Sequence, residues 1–300
     1  MRSQQPVFGG IDAGGTTFKC GVADSAGVLL EKRRVPVTTP EETLSGCAAF
    51  FREASGRAGL QAIGIASFGP IDIDPASPAC GTILKTPKPG WTGTDLRAFF
   101  AGAHDVPVTV DTDVNGALLA EMTRGAARGT SSAAYITVGT GIGAGIHARG
   151  GFAGSPLHPE FGHIPLRRHA DDAGFVGTCP FHGDCLEGLA SVTAVRARWG
   201  EPRDLASDHP GWPIIADYLA QACRTLTLTL RLQKIVLGGG LMLAPNLIRQ
   251  VRFAYDRQMG DYLGAQGLAG ADLIDTPALG DDAGLIGAVL LAMQADSISP

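Results

Sequence analysis

The chain has 300 residues, of which 45% are hydrophobic and 18% charged, with a net charge of −5. That length is ample for a buried core and points to two domains or one large one. No basic stripe marks a nucleic-acid surface, and no run of about 18 apolar residues could span a membrane. The N-terminal stretch MRSQQPVFGG lacks the apolar core of a signal peptide. Four of the six cysteines, Cys20, Cys47, Cys80 and Cys223, stand singly in apolar or helical contexts, as buried free thiols do. A disulfide framework would be denser, so a reducing, cytoplasmic setting is expected.

In chain order, residues 6–12, 18–23 and 27–37 read as strands around glycine turns. Residues 40–57 read as a helix, entered through Thr38, Thr39 and Pro40 with Glu41 and Glu42 in the first turn. Strands are predicted at 61–68, 106–111, 133–138, 143–147 and 235–237. Helices are predicted at 114–123, 213–231, 241–259 and 283–293. This mixture specifies an α/β fold. A strand, a glycine turn and a second strand occur twice, near Asp12 and near Thr140, which suggests two related halves.

The first glycine turn reads Gly9-Gly10-Ile11-Asp12-Ala13-Gly14-Gly15-Thr16-Thr17-Phe18-Lys19. Glycines after a strand let backbone N–H groups approach a phosphate closely. Thr16 and Thr17 add hydroxyls, Lys19 adds a cation, and Asp12 could hold Mg²⁺ through water. A plain hairpin is the alternative. The second turn, Gly139-Thr140-Gly141-Ile142-Gly143, and the third, Gly238-Gly239-Gly240, also follow apolar strands. Neither the Walker loop nor the Rossmann fingerprint is present, since the first turn leads into a strand.

Asp111-Thr112-Asp113-Val114-Asn115 falls where a strand gives way to a helix. Phosphoryl transfer to an alcohol calls for a carboxylate beside the hydroxyl, and Asp113 is the candidate. It could equally be a helix cap. Glu160, His163 and Glu187 offer hydrogen-bonding groups of the kind sugar hydroxyls require, or are ordinary surface residues. Cys179-Pro180-Phe181-His182-Gly183-Asp184-Cys185 is C-x2-H-x2-C, and His163 upstream completes a Cys₂His₂ set suited to structural zinc. Free thiols beside a surface histidine are the alternative.

Together these motifs resemble the ROK family of repressors, open reading frames and kinases. D-x-G-G-T, the segment around Asp113, G-T-G-I-G, E-x-G-H, the cysteine–histidine knuckle ending C-L-E and the late triple glycine occur in the family's order from Asp12 to Ala288. Within it, Ala66-Ser67-Phe68-Gly69-Pro70-Ile71-Asp72, Thr86-Pro87-Lys88-Pro89-Gly90-Trp91 and the knuckle are similar to bacterial fructokinases. The resemblance implies a two-domain actin/hexokinase-like, ribonuclease H-like fold, its domains closing on ATP and sugar. The smaller domain would be residues 1–117 joined by a C-terminal helix, 283–300. The larger would be 118–282, with a zinc-binding insertion at 148–188.

It implies Asp113 as general base, and Gly69, Thr112, Asp113, Glu160, His163 and Glu187 as sugar residues. Asp12, Gly14, Gly15, Thr16, Thr17, Lys19, Gly139, Thr140, Gly141, Gly239 and Gly240 would serve Mg-ATP, and His163, Cys179, His182 and Cys185 would hold zinc. The expected activity is conversion of fructose to fructose 6-phosphate by a homodimer that binds neither nucleic acid nor membrane. Mannose, glucose or an amino sugar are the alternative substrates, and a sugar-sensing regulator is the alternative class. A regulator is expected to carry an N-terminal helix-turn-helix module, for which the first turn, beginning by Gly9, leaves no room. Thr112 stands where sugar kinases of the family usually carry asparagine, which argues against an ordinary glucokinase. Ser191-Val192-Thr193 stands where related fructokinases tend to have Ser-Gly-Pro.

Overall fold

The computed structural model describes residues 6–56 and 59–296. The chain forms two compact units: residues 1–121 with 154–158 and 279–300, and residues 122–153 with 159–278.

The first unit opens with β1 (Val7–Ala13), β2 (Thr17–Ala23) and β3 (Leu29–Pro36), then α1 (Pro40–Ser55) and β4 (Leu60–Ser67). Next come α2 (Leu96–His104), β5 (Val108–Thr112) and α3 (Asp113–Arg124), the last of which runs three residues past the unit's edge at Glu121. The sheet order is β3-β2-β1-β4-β5, with β2 antiparallel to β1 and β3, and β4 parallel to β1 and β5. Alternation along β1 sorts side chains between two layers. Val7 and Ile11 join the cluster that holds Phe50 and Phe51 of α1 and Phe100 of α2, while Phe8 faces Val289 and Ala292. Those two belong to the final helix, Ala283–Asp296, which is apolar on all sides, as a helix laid on a sheet can be.

The second unit holds β6 (Ala133–Val138), β7 (Ile142–Ala148) and β8 (Gly151–Phe152), then the short helices α4 (Leu186–Ala190) and α5 (Val192–Trp199). The long helix α6 (Gly211–Leu230), β9 (Lys234–Gly238), α7 (Leu247–Met259), α8 (Gly270–Leu273) and β10 (Ile274–Asp275) follow, and the last helix of the chain is α9. Sheet order β10-β9-β6-β7-β8, with β9 parallel to β6 and β7 antiparallel to it, repeats the first sheet strand for strand. The recurrence read near Asp12 and Thr140 is therefore a repeat of topology.

Three local differences have physical causes. The helix predicted over 241–259 is split into a 3₁₀ turn, Gly240–Leu243, and α7, because Pro245 cannot continue the first helical run. α2, α4, α5 and α8 and the two-residue strands β8 and β10 are not among the predicted elements: they are short, and the apolar positions of α4 merge with the knuckle. The first unit takes in residues 279–282 as well as α9. Leu279 N–H donates to Glu121 Oε1 at 3.0 Å, and Lys19 bonds Asp281. The predicted ends of the helices 40–57 and 283–300, at Arg57 and at residues 297–300, lie outside the described residues. Among the described residues, no helix is long and apolar enough to cross a membrane.

Candidate active site

In the first unit, β1 and β4 run parallel and end together: Phe68 N–H donates to the Ala13 carbonyl at 2.9 Å. The first glycine turn therefore lies beside the exposed Gly69. Gly14 N–H is used internally, 3.1 Å from the Asp12 carbonyl and 3.2 Å from that of Thr17. The next two amides, of Gly15 and Thr16, have no intramolecular acceptor among the described residues, and both residues are exposed. Two consecutive free N–H groups in a turn are the elements of an anion nest.

Asp12, at the end of β1, is half-buried, and burial raises its pKa against the opposing pull of Lys19. Lys19 Nζ sits 3.2 Å from Asp12 Oδ2 and 2.8 Å from Asp281 Oδ1, with the Asp281 carbonyl at 2.7 Å. The cation read beside the first glycine turn is thus paired with two carboxylates in this structure.

At the mouth of β5 the helix cap falls on Thr112. Its Oγ1 accepts from Asn115 N–H at 3.2 Å, three residues on, the capping geometry. Asp113 is thereby relieved of that duty, its carboxylate accepting the adjacent Val114 N–H at 2.9 Å. Burial first, and the nearby negative charge of Asp12 second, push the Asp113 pKa up to about 7. Asp111 braces the segment: its Oδ1 accepts from Thr112 N–H and from Asn115 Nδ2, each at 2.7 Å. Its role was legible in the sequence only as a second acid beside Asp113.

In the second unit the turn Gly139–Gly141 is anchored from α4 and α5. Val192 N–H donates to the Gly139 carbonyl and Thr193 Oγ1 to the Thr140 carbonyl, both at 2.8 Å. Residues 192 and 193 are thus the turn's supports. Gly139 N–H bonds the Gly141 carbonyl at 2.9 Å, and the amides of Thr140 and Gly141 have no intramolecular acceptor among the described residues. The two nests are thus built alike. Glu187 Oε2 accepts from Ile142 N–H at 2.9 Å and comes so close that a Cβ on Gly141 would lie 2.5 Å from it. The third turn closes against the second: Gly239 has φ +88°, and a Cβ there would lie 2.5 Å from the backbone of Val138. Gly240 beside it is open and exposed.

The knuckle is folded by paired backbone bonds between Cys179 and Gly183, at 2.9 and 3.2 Å. Leu186 N–H on the Ile164 carbonyl at 3.0 Å brings the run containing His163 alongside Cys185. Candidate ligand atoms of His163, Cys179, His182 and Cys185 all lie within 4.8 Å of one another. Cys179 Sγ is 3.6 Å from His163 Nδ1 and 3.7 Å from His182 Nδ1, and Cys185 Sγ is 3.5 Å from His163 Nδ1. Zinc–sulfur and zinc–nitrogen bond lengths at a tetrahedral angle require sulfur–nitrogen separations of about 3.6 Å. The donor set fits zinc in both chemistry and spacing. Glu160, three residues before His163, is exposed.

A strand-end carboxylate with a raised pKa, beside an anion nest in a fold built twice on one topology, defines the class: a phosphoryl-transferring sugar kinase of the two-unit α/β type. The chain belongs to the ROK family, whose family model matches residues 8–295. It is 43% identical to the fructokinase of Zymomonas mobilis, across 99% of this chain and all of the relative, and 42% identical to a putative fructokinase of Bacillus subtilis, across 96% of each. Among solved structures it is similar to a ROK hexokinase from Thermus thermophilus, with TM-score 0.80 and 28% identity over 98% of this chain and 100% of the other. A ROK glucokinase from Streptomyces griseus in complex with glucose and AMPPNP gives TM-score 0.75 and 25% identity over 96% and 99%.

Proposed function

We propose that this chain transfers the γ-phosphoryl group of ATP to the 6-hydroxyl of D-fructose, with Asp113 as general base. The likeness to fructokinases over nearly the full length of both chains carries the substrate. The mechanism rests on an aspartate freed from capping and held near neutrality in proton affinity.

Catalysis of phosphoryl transfer is mostly positioning and charge stabilisation. Asp113, when ionised, takes the hydroxyl proton as the oxygen attacks phosphorus. The free amides of Gly15 and Thr16, and those of Thr140 and Gly141, are donors for phosphate oxygens, and Gly239 and Gly240 leave room for the adenosine. Asp12, steadied by Lys19, would hold Mg²⁺ through water, and that ion would neutralise charge on the phosphates. Glu160, Glu187, Gly69 and Thr112 stand with the sugar in this reading. Zinc at His163, Cys179, His182 and Cys185 has no open coordination position, so its part is structural.

A coupled ADP-release assay across fructose, mannose, glucose and N-acetylated hexosamines tests the substrate. The expected result is a kcat/KM for fructose at least about tenfold above the others, the discrimination that one well-made polar contact provides. A larger value for glucose, or a product phosphorylated at the 1-hydroxyl, would sink the reading.

A further inference from the structure

Lys88 is a cation that the mechanism above leaves unused. It lies in the loop between β4 and α2, and its ammonium sits 4.6 Å above the Phe68 ring and 5.5 Å from that of Trp91. Trp91 is fully buried, packs at 5.4 Å on Phe18 and donates its indole N–H to the Thr38 carbonyl at 3.3 Å, so this shelf is rigid. Among the described residues, the one hydrogen bond of Nζ is to the carbonyl of Gly15, the peptide whose N–H side is the free amide of Thr16. Among the described residues no carboxylate lies within ion-pair distance of Lys88, and burial alone acts on its pKa, lowering it. Lys19, by contrast, is saturated by Asp12 and Asp281. Lys88 is partly exposed, so its charge is tolerated in water, but it is left without an anion that a ligand could supply. Here it stands over a turn whose two free amides also call for an anion.

We propose that Lys88 is the cation of the nucleotide phosphate site. An ammonium has three donors, so Nζ keeps one on Gly15 and turns the others toward phosphate oxygens held by the Gly15 and Thr16 amides. Engaging the Gly15 carbonyl also polarises that peptide and strengthens the Thr16 N–H as a donor. The aromatic faces hold the charge in place through cation–π attraction without neutralising it, as a carboxylate would. This inference rests on ATP being the phosphoryl donor.

The test is equilibrium titration of wild type, Lys88→Met and Lys88→Arg with ATP and with adenosine, in the absence of sugar. Methionine keeps an unbranched stem on the rings and removes the charge. Loss of a charge-assisted hydrogen bond is expected to raise the ATP Kd of Lys88→Met about 10- to 100-fold, with the adenosine Kd unchanged. Lys88→Arg, which keeps the charge on a differently shaped head, should lose clearly less ATP affinity than Lys88→Met. An unchanged ATP Kd in Lys88→Met overturns the proposal, as does an equal loss for adenosine, or an equal loss in Lys88→Arg. Those outcomes leave the kinase reading standing, whereas a wild-type protein that binds adenosine and ATP alike would remove that reading as well.

Discussion

Replacing Asp113 by asparagine is expected to lower kcat by at least about 10²- to 10⁴-fold, the usual contribution of a general base, with sugar binding retained. Asparagine preserves the shape and can still accept the Val114 N–H, but it cannot take a proton. The same residue should set the acid limb of the pH profile. With a pKa near 7, kcat/KM should rise about tenfold per pH unit below neutrality and level off above it. The limb should vanish in the variant.

Linkage gives an independent readout with the opposite sign. Because the folded protein holds this proton more tightly than the unfolded chain, Asp113 costs no stability below about pH 4. The cost grows between about pH 4 and 7 and is complete above that. A shift of this size has a ceiling of about 4 kcal/mol. Relaxation leaves an expected gain for Asp113→Asn on the order of 1–2 kcal/mol at pH 8, read as a melting temperature a few degrees higher, with the difference closing toward pH 4. Turnover near the wild-type rate, together with no stability change, would reduce Asp113 to an ordinary residue of the helix start.

Cys179→Ser is expected to take zinc from one per chain to well below it and to raise the sugar KM by about 10- to 100-fold, the range seen when the support of a metal site is lost. The geometry traces the path. Cys185 begins α4, Glu187 of α4 holds Ile142 N–H, and Val192 and Thr193 hold the carbonyls of Gly139 and Thr140. His163 fixes the run that carries Glu160. Losing the metal should therefore loosen directly the residues proposed to bind sugar and the second glycine turn at one remove, so the ATP KM should change less than the sugar KM. Zinc binding to small finger peptides is worth roughly 10–16 kcal/mol near neutral pH, but they fold around the metal alone. Here the knuckle's neighbours Phe161, Leu186 and Leu189 are held in one large buried cluster with α6, β6 and β9, so the fold should survive. Elemental analysis decides the first step: fully active protein with zinc well below one per chain would make these ordinary thiols.

The sequence by itself determined most of the elements and placed the candidate residues of the site. Glycine turns after apolar strands, Asp113 at a strand-to-helix junction and three cysteine and histidine ligands at knuckle spacing are local patterns, set by backbone sterics and ligand preference. They were legible without coordinates. The short helices α2, α4 and α5 were not, because one or two turns carry too few apolar positions to show a period. Nor was the break at Pro245 separated from the apolar run on either side of it.

Three things only the tertiary structure decided. Which residue caps α3 depends on whether Thr112 or Asp113 faces the helix amides, and the sequence allowed either. Which lysine is free depends on Asp281, which lies 262 residues from Lys19 in the chain yet bonds it. Which amides stay unpaired depends on how the surrounding bonds fall: Val192 and Thr193 take carbonyls of the second turn, while Lys88, 73 residues from Gly15, takes one of the first. Residue type fixes what a group can donate, accept or ligate. Whether it is spent or left available is set by partners that the fold brings from far along the chain.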